Sequence, residues 1–125
     1  MRPGRWIVQA IATALSGVGL LWAQPGLEGH LPADPRHGRV LYERHCLRCH
    51  GEGLDGKGPD AASLSIPPTN FRSHPSRVKD DFDLWFTIRQ GRSFSAMHGW
   101  SETLADEDIK DIVAYIRSIA PRDRR

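Results

Sequence analysis

Apolar positions along the chain fall into four stretches of differing period. From Trp6 to Ala23, eighteen residues pass without a charge, with Arg2 and Arg5 ahead of them. A basic flank before such a run marks an export signal or a membrane anchor, and either keeps the flank on the cytoplasmic side and sends the rest of the chain across. The run is at the short end of the roughly 17 to 25 residues that span a bilayer, and Gln9, Thr13, Ser16, Gly17 and Gly19 weaken it further. Removal after Ala23 is the favoured reading. For retention stand Leu21, where cleavage prefers a small residue, and Trp6 and Trp22, placed where interfacial aromatics would lie.

Residues 24–33 carry Pro and Gly without periodicity and read as a linker or mature tail. Asp34-Pro35 then starts a helix, the carboxylate capping free N–H groups and proline taking the first turn. This helix is expected to carry Val40 and Leu41 inward, with Gly38 and Tyr42 beside them, and to run into Cys46. Residues 51–68 hold four glycines and three prolines and no alternating apolar run, which predicts a structured loop. A second helix spans about Asp80 to Gln90, with Phe82, Trp85, Phe86 and Arg89 at i, i+3, i+4 and i+7, an expected aromatic buried face, and Gly91 as its stop. After a loop to Trp100, the last helix begins near Thr103 or Ala105. Asp106, Glu107 and Asp108 sit in its first turn and Arg117 near its end, as the helix dipole favours. Its apolar face is Ile109, Ile112, Val113, Ile116 and Ile119, and Pro121 ends it.

Composition changes this picture in two ways. The 17 basic and 15 acidic residues of the 125-residue chain suggest a basic protein, but Arg2 and Arg5 belong to the leader and all acids follow it. The remainder is balanced, with no basic stripe for nucleic acid. About 100 residues with long loops also form one small domain short of apolar material for a self-sufficient core. A large, flat apolar cofactor would fill the middle.

Cys46-Leu47-Arg48-Cys49-His50 supplies its chemistry. C-x-x-C-H is the attachment sequence of c-type haem: two thiols three positions apart can each form a thioether to a vinyl group, and the following imidazole reaches the iron. A thioredoxin-like pair would sit beside a βαβ pattern, and zinc would need further spaced ligands. A plain disulfide would leave His50 and the missing core unexplained.

The chain from Asp34 to Ala120 resembles the single-haem class I cytochromes c of bacteria. The resemblance rests on Gly38 and Tyr42 leading into CLRCHGEGLDGKGPDAASL, on PPTNF, and on GRSFSAMHGWSETLADEDIKDIVAYIRSI. It implies an all-α cytochrome c fold, three to five short helices with long loops around one covalently bound haem c, and crossing terminal helices that meet at Gly38 and Tyr115. It also implies haem attachment by Cys46 and Cys49, His50 as proximal iron ligand, and Met97, 47 residues on and the only methionine besides Met1, as distal ligand. His98 stands where the family usually has proline; it is expected at the surface, with ligation in place of Met97 as the alternative. His30, His37, His45 and His74 are expected at the surface. A carbonyl from Pro67 or Pro68 is expected to accept the free N–H of His50, while Trp100, Arg72 and Arg92 could meet haem propionates or simply pack and face solvent.

These readings divide the chain into a leader or anchor (1–23), a linker or tail (24–33), a monohaem domain (34–120) and a basic tail (121–125). They predict a non-enzymatic one-electron carrier outside the cytoplasmic membrane, in the periplasm or tethered to the membrane's outer face through residues 6–23. Its partners would be redox proteins or membrane respiratory and oxidoreductase complexes, with Arg44, Arg48 and Lys57 as a mildly positive face around the motif. The alternatives are a membrane-tethered subunit of a larger oxidoreductase, and a haem sensor or catalyst with a displaceable sixth ligand.

Overall fold

A computed structural model describes residues 32–123; the leader and most of the linker lie outside the described residues, as do Arg124 and Arg125. Five helices form: α1 (Pro35–His45), α2 (Leu47–His50), α3 (His74–Arg77), α4 (Asp81–Gln90) and α5 (Asp106–Ile119), with a 3-10 turn at Ala61–Ser63. No strand occurs among the described residues. The fold is all-α.

Local chemistry sets the helix ends. Asp34 accepts from the Arg36 N–H at 2.8 Å, with Pro35 as the first helical residue. Asp80 and Asp83 exchange backbone bonds across the start of α4, Asp83 N–H to Asp80 at 2.8 Å and Asp80 N–H to Asp83 at 3.3 Å. At α5 the Ala105 N–H donates to Asp108 at 3.1 Å.

The frame is the crossing of α1 and α5; α2 packs on α1 and α4 on α5. It is closer than a side chain allows: a Cβ on Gly38 would lie 1.9 Å from the Asp111 carbonyl oxygen. The expected Gly38–Tyr115 meeting is therefore divided. Gly38 lies against the backbone of Asp111 and Ile112, while the Tyr115 ring packs at a 58° tilt against Tyr42, with centroids 5.3 Å apart.

Two apolar faces differ from expectation. On α1 the inward residues are Gly38, Leu41 and Tyr42, spaced i, i+3 and i+4; Val40 falls outside that stripe and is 55% exposed. On α4 the buried residues are Leu84 and Ile88. Phe82 and Phe86 are 65% and 50% exposed, stacked on each other at 6.0 Å, with Trp85 half-buried between them and the core. Both patterns fit 3.6 periodicity, and neighbouring helices decide which one is covered. On α5, Ile109, Ile112, Val113 and Ile116 are buried as expected, and Ile119 is partly exposed in the last turn.

Candidate functional site

Helix α2 has four residues, too few to hold itself together, so its carbonyls are served from elsewhere. Gly51 N–H reaches Leu47 O at 2.8 Å, Asp60 reaches Arg48 O at 2.9 Å, Gly58 reaches Cys49 O at 3.1 Å and Gly56 reaches His50 O at 2.9 Å. The glycine-rich loop after the motif thus wraps back over it. Tyr42, buried on α1, donates its hydroxyl to Gly51 O at 2.8 Å and ties the same turn to the helix crossing.

The opposite wall is built from α4 and the loop that follows. Gly91 ends α4 at φ +76° and pairs in an antiparallel bridge with His98, and Arg92 N–H donates to Met97 O at 2.8 Å. A Cβ on Gly91 would lie 2.5 Å from Gly99 N, so this closure needs glycine both for its φ and for the approach. Met97 rides the closed loop, half-buried against the core.

Between the walls lies a cavity of about 340 Å³. Cys46, Cys49, His50 and Met97 all line it. His50 is buried, its ring stacked on Phe71 at 4.8 Å, and its Nδ1–H donates to the Thr69 carbonyl at 3.2 Å. The acceptor is the residue after the expected Pro67 and Pro68. Burial pushes the His50 imidazole below its ordinary pKa, against the opposing pull of the Thr69 carbonyl. A neutral ring donating from Nδ1 keeps its lone pair on Nε2, the arrangement a metal-ligating histidine requires.

The two cysteines are unbonded to each other. Burial, with Cys49 nearby, pushes the Cys46 thiol up to about 12, which is the reverse of the lowered thiol of a dithiol redox site. Among the described residues no cluster of three or more His, Cys, Asp or Glu could hold a metal ion. The cavity instead suits a flat apolar group: two thiols at one edge, imidazole and thioether donors, and walls that include Leu64, Pro68, Leu84 and Ile88. These residues fit a covalently held haem.

A family model described as cytochrome c oxidase, cbb3-type, subunit III, matches residues 33–116. The chain belongs to the class I c-type cytochromes. Its cofactor is one covalently bound haem c. Over 107 residues this cytochrome is 31% identical to dihydro-heme d1 dehydrogenase of Pseudomonas aeruginosa, a match covering 85% of this chain and 19% of that protein. It is 27% identical to cytochrome c6 of Tetradesmus obliquus, covering 74% of this chain and 98% of that one. Among solved structures, the KustC0563 c-type cytochrome superposes with a TM-score of 0.55 at 26% identity, covering 66% of this chain and 95% of that one. The cytochrome thus spans about a fifth of the dehydrogenase and matches nearly the whole of the two small proteins.

The remaining residues singled out from sequence separate into groups. Trp100 and Arg92 line the cavity, whereas Arg72 is outside its lining and donates to Gly53 O at 2.6 Å. His98 is exposed at the cavity edge. His45, expected at the surface, is half-buried and lines the cavity. His37 and His74 are exposed and bond Asp111 and Asp123, each at 2.8 Å; His30 lies outside the described residues. Arg48 is paired two-fold with Asp60 at 2.7 and 2.8 Å, which removes it from the expected positive face. Thr69 and Phe71 were not among the sequence candidates: a backbone acceptor has no residue signature, and one Phe in a loop reads as ordinary packing.

Proposed function

We propose that this cytochrome is a one-electron carrier whose iron is held by His50 and Met97 and whose haem is attached through Cys46 and Cys49. The observation that carries this reading is the convergence of four residues, spread over 52 positions, on one cavity. When bound, haem c supplies the ferrous–ferric couple. The chain's own residues attach it by two thioethers, orient His50 through Thr69, and close the other side with a thioether that raises the potential relative to a second imidazole. With His50 and Met97 both holding the iron, no place would be left for substrate, and the protein's task would be to set a potential and to dock briefly with other redox proteins. Arg44 and Lys57, exposed on either side of the motif, favour an acidic partner.

The leader at residues 1–23 supports export, with the monohaem domain from 34 to 120 working outside the cytoplasmic membrane. A tethered subunit is the second reading. The apolar run at 6–23 favours it, as does the match of this domain to a fifth of a much longer enzyme. Among the described residues no helix is long and apolar enough to cross a membrane.

The test is an absorption spectrum of protein purified from an envelope fraction, in both oxidation states. A weak near-infrared sulfur-to-iron band in the ferric form and indifference of the ferrous form to CO are expected. Met97→Ala should keep the haem attached, lose the band and admit CO, whereas Cys49→Ala should lower the yield of attached haem. A wild-type protein that lacks the band and binds CO would move the sensor or catalyst reading to the front.

A further inference from the structure

The two walls of the cavity hang separately on α5. Helix α1 packs on α5 and carries α2, α4 packs on α5 and leads into the Met97 loop, and among the described residues α1 and α4 form no helix–helix contact. One chain of rings crosses between them. The Trp100 indole meets the His45 ring edge-on at 5.1 Å and the His98 ring at 4.4 Å, tilted by 41°. His45 is the last residue of α1 and precedes Cys46; His98 follows Met97. The stack therefore runs from the neighbour of the first attachment cysteine to the neighbour of the thioether.

Its central ring stands on a fixed base. Trp100 N–H donates to Ile88 O at 3.1 Å, and Trp100 O accepts from Thr103 and Leu104 N–H at 2.9 and 2.8 Å. The indole is half-buried against the core. The outer ring is also fixed, since His98 Nδ1–H donates to Gly99 O at 3.0 Å. Backbone closure at Gly91 and His98 sets the shape of the Met97 loop but not its distance from the attachment wall. The ring contacts bridge that distance, at separations where aromatic pairs favour offset or edge-on contacts.

We propose that Trp100 is a positioning residue which, clasped between His45 and His98, holds the Met97 loop against the attachment wall and keeps the thioether on the iron. This rests on the proposed ligation by Met97. A residue that merely filled space would be replaceable by any apolar side chain of adequate size. A clasp needs an aromatic ring, so Trp100→Phe and Trp100→Leu should behave differently.

The experiment compares wild type, Trp100→Phe, Trp100→Leu and His45→Leu as haem-loaded proteins at one fixed pH. The near-infrared band and CO binding by the ferrous form are read beside far-ultraviolet helicity. Trp100→Phe should keep the band. Trp100→Leu should keep its haem and helicity, lose most of the band and bind CO, and His45→Leu should show the same change in smaller degree. A Trp100→Leu protein that keeps the full band and ignores CO overturns the inference. If that variant fails to accumulate, His45→Leu decides: an unchanged band overturns the clasp, and a weakened band with CO binding supports it. Absence of the band in the wild type would instead overturn the ligation itself, so the two failures are distinguishable.

Discussion

The attachment wall and the Met97 wall face the same cavity but are held in opposite ways. In the first, every residue of α2 has its carbonyl bonded by the following loop, and the turn is tied down again by the buried Tyr42 hydroxyl. In the second, the bonds stay within the wall itself: Ser95 N–H to Arg92 O at 3.3 Å, Met97 N–H to the Ser95 hydroxyl at 3.2 Å, Arg92 N–H to Met97 O, and Trp100 N–H back to Ile88 O on α4. Each wall includes one non-glycine residue of left-handed backbone. Leu54, at φ +57°, is wholly buried and its carbonyl accepts from Phe71 N–H at 2.8 Å; Phe94, at φ +60°, is 97% exposed. Similar backbone strain is clamped by packing on one side and left in solvent on the other. The wall that carries Cys46 and Cys49 is bonded along its whole length by the loop that follows it, and the wall that carries Met97 depends on its own short-range closure and on its neighbours.

The strongest way to break the contrast is to remove the frame common to both walls. Gly38→Val places a branched side chain where even a Cβ would overlap the Asp111 carbonyl, and should destabilise the holoprotein by about 3 kcal/mol or more, read as a lowered denaturant midpoint. Gly91→Ala attacks the Met97 wall alone. With φ at +76° and the Gly99 nitrogen 2.5 Å from the new Cβ, it should cost about 2 kcal/mol and weaken the near-infrared band while the haem stays attached. An unchanged band would show that the loop does not depend on this closure. Tyr42→Phe strips one bond from the attachment wall and leaves the Gly51 carbonyl without it, at about 1 to 2 kcal/mol by the same denaturation. Because the other bonds of that wall remain, the band should persist.

The smallest effect is a pH dependence far from the cavity. Hydrogen bonding to Asp111, aided by the charges of Asp111, Asp108 and Asp34, raises His37 above 6.5 in the folded chain. A raised folded value contributes stability that is fully present below the unfolded pKa and is lost as pH rises through the folded one. The thermal midpoint should therefore fall slightly as pH rises above about 6.5, and His37→Gln should flatten that part of the curve. A midpoint that rises in the wild type over this window would contradict the assignment.

Legibility followed the range of the interactions. The starts of α1 and α4 were readable because Asp34-Pro35 and Asp80 act within a single turn. The α5 stripe was readable because one face carries nearly all its isoleucines. The burial of Phe82 and Phe86 was misread: α4 has two apolar stripes, and its neighbours cover the one containing Leu84 and Ile88. Helix α3 was missed because four residues carry no periodic signal.

For the site, C-x-x-C-H carried its own meaning, since two thiols and an imidazole at that spacing have a single well-matched use, and the only methionine besides Met1 pointed to Met97. By itself the sequence determined the attachment chemistry, the near-neutral charge of residues 24–125 and the helical ends, all of which depend on residues within a few positions of one another or on simple counts. Only tertiary structure decided that Thr69 rather than Pro67 or Pro68 bonds His50, that Arg48 is neutralised by Asp60, and that Trp100 joins His45 to His98. Apart from the His98–Trp100 pair, two positions apart, those contacts span 12 to 55 positions and involve a backbone carbonyl, a surface ion pair and ring edges, none of which leaves a local pattern until the chain has folded.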